Sequence, residues 1–89
     1  MTVETIIQER SATHGDYQEM SMTAQELKNV MRAAVKWRDL NFTHKESLDS
    51  IATKIARILC GDPYHRDSWN DIQGYAALAE RGIPKREEG

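Results

Sequence analysis

The stretch Asp16–Trp37, DYQEMSMTAQELKNVMRAAVKW, decides the fold. Tyr17, Met20, Ala24, Leu27, Met31, Ala34 and Trp37 recur in it at steps of three and four. A helix turns about 100° per residue, so these positions share one face. Val30 and Val35 widen that stripe. Asp16, followed three residues later by Glu19, has the form of a capping box, in which two side chains satisfy open backbone N–H groups at a helix start. The first proline is Pro63, so no ring clash interrupts the segment. The pattern predicts a helix from Asp16 to about Leu40, with Asn41 as its stop.

Upstream, Val3, Ile6, Ile7 and Arg10 lie along one side of a shorter helix over Thr2–Ser11. His14-Gly15-Asp16 then reads as a corner, where glycine is free to take positive φ. Downstream, Thr43-His44-Lys45-Glu46 is a second capping box. Leu48, Ile51, Ala52, Ile55, Ile58 and Leu59 follow as an apolar face, and Gly61 with Asp62-Pro63 closes that helix. A last helix begins near Asp67 or Ser68, where Ser68-Trp69-Asn70-Asp71 forms a third box. Trp69, Ile72, Tyr75, Ala76 and Ala79 face inward, and Gly82 with Pro84 ends it. The expectation is all-α: a small helical bundle with one long and three shorter helices, a single domain over residues 1–84 and a frayed tail over 85–89.

Composition agrees with one globular domain. The chain has 89 residues, 12 Lys+Arg against 14 Asp+Glu, and a net charge of −2. Hydrophobic residues make up 39% and charged residues 29%, which excludes a disordered tail. No apolar run approaches the roughly 18 residues of a membrane span, and no membrane partner is expected. The first residues carry neither the basic start nor the apolar stretch of a signal peptide. One cysteine makes no internal disulfide, so a reducing compartment is expected. The near-neutral charge speaks against bulk nucleic-acid binding. Nine of the hydrophobic residues are alanine, so the core is small and a homo-oligomer is expected.

The polar residues of the last two helices suggest chemistry. Glu46, Ser50, Lys54 and Arg57 form one stripe. Asp67 and Asp71, one turn apart, can aim their carboxylates the same way. Three readings follow. Lys54 and Arg57 could pair with Asp67 and Asp71 as a scaffold. They could instead hold phosphate, since Arg offers a bidentate fork and Lys a point charge. Or Glu46, Asp49, Asp67 and Asp71 could hold Mg²⁺ through oxygen ligands; Asp49 lies well round the helix from the basic pair, which makes this the weakest. Tyr17, Trp37, Trp69 and Tyr75 sit at core-facing positions, yet such rings also stack on bases. Close helix packing is the expected reason for Gly74. Cys60 reads as a buried small hydrophobe. His14, His44 and His65 are scattered, with no zinc spacing.

Glu9-Arg10, His14-Gly15-Asp16-Tyr17, Lys54-Ile55-Ala56-Arg57-Ile58, Asp67-Ser68-Trp69-Asn70-Asp71 and Gly74-Tyr75-Ala76-Ala77-Leu78 resemble a family of small phage and prophage proteins of unknown function. The pattern is also similar, more distantly, to a nucleotide-modification-associated phage domain and to the helical MazG-like nucleoside triphosphate pyrophosphatases. The resemblance implies a phage setting, the cytoplasm of an infected bacterial host and a nucleotide-related role. Those pyrophosphatases hold Mg²⁺ with an ExxE pair and a later ExxD pair. Glu46-Ser47-Leu48-Asp49 can stand for the first, but Asp67-Ser68-Trp69-Asn70 puts an amide in the second, and Asp71 falls one position late.

The expectation is therefore a non-catalytic nucleotide binder that needs no cofactor, such as a sponge for a cyclic nucleotide immune signal. Arg10, His14, Lys54 and Arg57 would hold phosphate. Asp67, Asn70 and Asp71 would position them or read the base, and Tyr17, Trp37, Trp69 or Tyr75 would stack it, in a pocket built between chains. The alternatives are an Mg²⁺-dependent pyrophosphatase using Glu46, Asp49, Asp67 and Asp71, and a protein-interaction module with an exposed patch at Leu40 or Phe42.

Overall fold

The computed structural model describes residues 2–85, the His14 side chain apart. Four α-helices follow in order: α1 (Val3–His14), α2 (Tyr17–Ala33), α3 (Phe42–Cys60) and α4 (Arg66–Arg81). A 3₁₀ segment, Val35–Asp39, joins α2 to α3. The architecture is the all-α one expected. Of the expected frayed tail only Lys85 is described, and 86–89 lie outside the described residues.

The element ends correct several expectations. α1 runs past Ser11 to His14 and is capped by Thr2, whose side chain accepts from Thr5 N–H at 3.1 Å. Asp16 caps α2 as expected, accepting from Gln18 N–H at 3.1 Å. α2 does not reach Leu40. Ala34 takes extended backbone (φ −71°, ψ 140°), and its N–H turns to Met31 O. The chain re-enters as a tighter helix through β-branched Val35, which lets Trp37 fold back beside Met31 and Leu48. There is accordingly no single long helix, and α3 with 19 residues exceeds α2 with 17.

Asn41, expected as a stop, is a start. Its side chain accepts from His44 N–H at 2.9 Å, so α3 begins at Phe42 and Thr43 is not its cap. The last helix likewise starts at Arg66 after His65, without a side-chain cap. Ser68, expected as that cap, is buried, as is Ser47 of α3. Small side chains at both places let α3 and α4 approach closely.

α3 lies between its neighbours, packing most on α4 and next on α2. Arg32–Asp49 (3.6 Å) and Thr23–Cys60 (3.4 Å) mark the α2 side. Lys54–Asp71 (2.8 Å) and His44–Ala79 O (2.7 Å) mark the α4 side. Both sets run antiparallel. Met20, Ala24 and Ala56 form the buried cluster, with half-buried Cys60 against it. Cys60 is thus less buried than expected, and its thiol meets the Thr23 hydroxyl.

Gly15 holds the corner. Its φ is +78°, and a Cβ there would overlap the Cys60 carbonyl. Close by, Asp62 N–H donates to Thr13 O at 2.9 Å. Gly74 is the opposite case. Nothing lies within 4 Å of where its Cβ would be, so close packing does not explain it.

Two substitutions separate these roles. Gly15→Ala should destabilise by at least about 2 kcal/mol, through both backbone strain and the overlap. Gly74→Ala should stabilise by about 0.5–1 kcal/mol, as in any open helix interior. Urea unfolding followed by far-UV circular dichroism checks both signs.

Candidate functional site

The structure divides the expected site in two. Arg10 of α1, Gly15, Tyr17 of α2 and Arg57 of α3 border one cavity of about 180 Å³. Ile6, Ile7 and Met20 supply its apolar wall. Lys54, Asp67, Asn70, Asp71, Trp37, Trp69 and Tyr75 do not line it.

Arg57 is the notable member. Its Nε is buried and has no hydrogen-bond partner, and it makes no ion pair among the described residues. A buried N–H donor without a partner is costly, and an acceptor entering the cavity could satisfy it. Arg10 brings a second guanidinium to the same cavity. Tyr17, expected in the core, is 76% exposed at the rim because the Gly15 corner turns the start of α2 outward. His14 ends α1 beside them, but its side chain is outside the described part.

Lys54 behaves differently. Its ammonium sits 2.8 Å from an Asp71 oxygen, with the lysine side chain 16% exposed. Hydrogen bonding and charge attraction from Lys54 lower the Asp71 pKa below the ordinary 3.8, against a small opposing effect of burial, and the Arg57 charge adds to the lowering. Asp67 does not join them. It lies 3.8 Å from the His65 ring, largely in solvent. The expected four-membered network is thus one ion pair, and Arg57 stands outside it.

The carboxylates of the metal reading are also dispersed. Glu46 accepts from Ser50 at 3.4 Å, and Asp49 faces Arg32 on the α2 side while Asp71 belongs to the α4 side. Among the described residues no three His, Cys, Asp or Glu are gathered to hold an ion. The remaining aromatics have other duties. Trp37 closes an apolar groove at the far end of α2, and the Trp69 indole N–H donates to Pro63 O at 2.8 Å. Trp69, expected to face inward, is half-exposed. Phe42 is exposed, with the Lys45 ammonium 6.0 Å over its ring.

Sequence reading missed His44. Its ring bridges the Asn41 side-chain oxygen and Ala79 O, each at 2.7 Å, and so fastens the start of α3 to the end of α4. The capping position of Asn41 is the signal that could have found it.

The class defined by these features is a small helical layer with an arginine-lined cavity at one corner. The chain belongs to a domain family of unknown function (DUF6378), which it matches over residues 1–82. No curated protein and no solved structure matches it. No helix is long and apolar enough to cross a membrane among the described residues.

The Lys54–Asp71 pair sets a pH dependence. A carboxylate whose folded pKa is lowered contributes stability above its unfolded pKa, and that contribution fades as pH falls through the lowered value. Wild type should therefore lose stability as pH drops below about 3.8. Asp71→Asn should lose that part of the dependence, in thermal melts from pH 7 down to the acid limit.

Proposed function

We propose that the chain is a non-catalytic nucleotide-binding protein whose phosphate seat is the Arg10–Arg57 cavity. The observation that carries this is Arg57, whose Nε is buried without a hydrogen-bond partner, in a cavity also lined by Arg10 and an exposed Tyr17. Arginine forks grip phosphate oxygens in pairs, and the low dielectric of a partly closed cavity strengthens each contact.

Size decides what enters. Pockets that enclose a whole ligand run to roughly 300–1,000 Å³. About 180 Å³ holds a phosphate group and leaves the sugar and base outside. The base then lies against the Tyr17 ring, where stacking contributes roughly 1–3 kcal/mol. Lys54 is committed to Asp71, so it supports the field rather than touching the ligand. His14, adjacent to the Gly15 corner, is a third phosphate contact in this reading.

The finer identity rests on the sequence resemblance to phage proteins. On that reading the chain acts in the cytoplasm of an infected host. It works as a homo-oligomer and takes up a cyclic nucleotide immune signal without changing it, and it requires no cofactor. The dispersal of Glu46, Asp49 and Asp71 favours this over a pyrophosphatase.

The test is retention. The protein is mixed with nucleoside triphosphates and with cyclic di- and trinucleotides in the presence of Mg²⁺, then filtered. The retained ligand is released by heat and chromatographed. A cyclic nucleotide held and released intact supports the reading; conversion of any nucleotide, or retention of none, overturns it. For the retained ligand, Arg57→Ala should weaken binding by at least roughly tenfold, or about 1.4 kcal/mol. Lys54→Ala should weaken it less, and calorimetric titration distinguishes the two.

A further inference from the structure

The helices of this chain form a layer with two unlike faces. α2 and α4 occupy opposite sides of α3, as the Arg32–Asp49 and Lys54–Asp71 pairs fix. At about 100° per residue, Glu46, Ser50 and Arg57 then point to one face and Leu48, Ile55 and Leu59 to the other. Going round each antiparallel neighbour in the same sense, α2 adds Leu27 and Val30 to the second face, and α4 adds Trp69 and Ile72. Tyr17 and Asp71 fall on the first face by the same construction. Tyr17 does border the Arg57 cavity, as that requires.

The second face is apolar and open. Val30 is 73% exposed, Leu59 67%, Trp69 49% and Leu48 38%. α1 cannot cover it, because α1 meets α2 and α3 around the Arg57 cavity on the other face. A helical layer with one apolar face needs a second layer.

Area says how large that second layer is. A folded monomer of this mass exposes roughly 5,300 Å². This chain exposes 7128 Å², an excess of about 1,800 Å². Its radius of gyration is 15.7 Å, against roughly 12 Å for a compact domain of this length. A standard interface takes roughly 800 Å² from each partner, and obligate homodimers take more. The surplus is spread over the whole elongated chain, the exposed α1 included, and is larger than the area one partner gives to a standard interface.

We propose that two copies of this chain pair through the face carrying Leu48, Ile55, Leu59 and Trp69, giving two stacked three-helix layers. Copies meeting about a twofold axis place these apolar groups on apolar groups, with the exposed Glu19 and Glu80 at the margins of the face. The small net charge of −2 leaves little repulsion between them. The Arg57 cavities lie on the two outer surfaces and stay open. The inference names the contact face of the expected homo-oligomer and does not depend on nucleotide binding.

Sedimentation equilibrium of the full chain, without nucleotide, should give twice the 10.2 kDa chain mass. Leu59→Glu and Val30→Glu should each shift the mass toward that of one chain, whereas Ser50→Glu on the other face should not. Hydroxyl-radical footprinting of wild type guards against variants that fail to fold. Trp69 should be protected while Tyr17 reacts freely. A wild-type monomer overturns the proposal and leaves the face to a different protein. So does a dimer in which Trp69 reacts as freely as Tyr17, or whose mass Leu59→Glu and Val30→Glu leave unchanged.

Discussion

The seat of Gly15 on the Cys60 carbonyl is the constraint on which the candidate site depends. Among its described side chains α1 has none that is buried, and it leaves Val3 and Ile7 largely in solvent, so its own packing holds it weakly. What fixes its direction is the corner. Gly15 takes a backbone conformation closed to most side chains, and the missing Cβ lets two backbones touch. The Asp62–Thr13 backbone hydrogen bond and the Thr23–Cys60 contact tie the same region to the end of α3. Arg10 meets Arg57 only because these contacts turn α1 back over α3. The site thus sits on the least buried element, the part of a fold that opens at the lowest free energy.

The central helix explains the rest. α3 must pack on both sides at once, and it does so with small residues: Ser47, Ala52 and Ala56 are all buried. Small side chains bring helix axes close but bury little apolar area per residue. Of its larger apolar residues Ile58 is buried with them, Ile51 and Ile55 are half-buried, and Leu48 and Leu59 are exposed. A helix that also turned Leu48 and Leu59 against α2 and α4 would make a rounder monomer with a fuller core. This one keeps them for a surface, and its elongation and small core are two aspects of one arrangement.

Much of this was legible in the sequence, for a local reason. Asp16, Gly61 and Gly82 end or begin helices through contacts within a few residues, and a sequence shows such contacts directly. Where two residues competed for one role, the pattern could not choose. Asn41 and Thr43 are both good N-caps, and Asn41 prevails because its side chain also meets the His44 ring, which in turn reaches Ala79 35 residues away. The break at Ala34 was likewise hidden, since alanine favours helix and only the return of Trp37 toward Leu48 ends it. Periodicity placed Tyr17 on the buried stripe, but the structure leaves it at the rim of the Arg57 cavity, 76% exposed.

The basic pair shows the same limit in electrostatic form. Lys54 and Arg57 stand one turn apart, as do Asp67 and Asp71, and sequence alone matches them two by two. The antiparallel register gives Asp71 to Lys54 at 2.8 Å. Three residues further along α3, the position opposite Arg57 on α4 falls near Ser68, which is buried at the contact, while Asp67 turns outward toward His65. Arg57 is left without a carboxylate and on the side of α3 that faces the α1 corner. Its Nε is buried there without a hydrogen-bond partner. It must be compensated by field or by ligand. The nearest fixed compensation is the Asp71 charge, already shared with Lys54, and on the proposed function an anion in the cavity beside Arg10 would supply the rest.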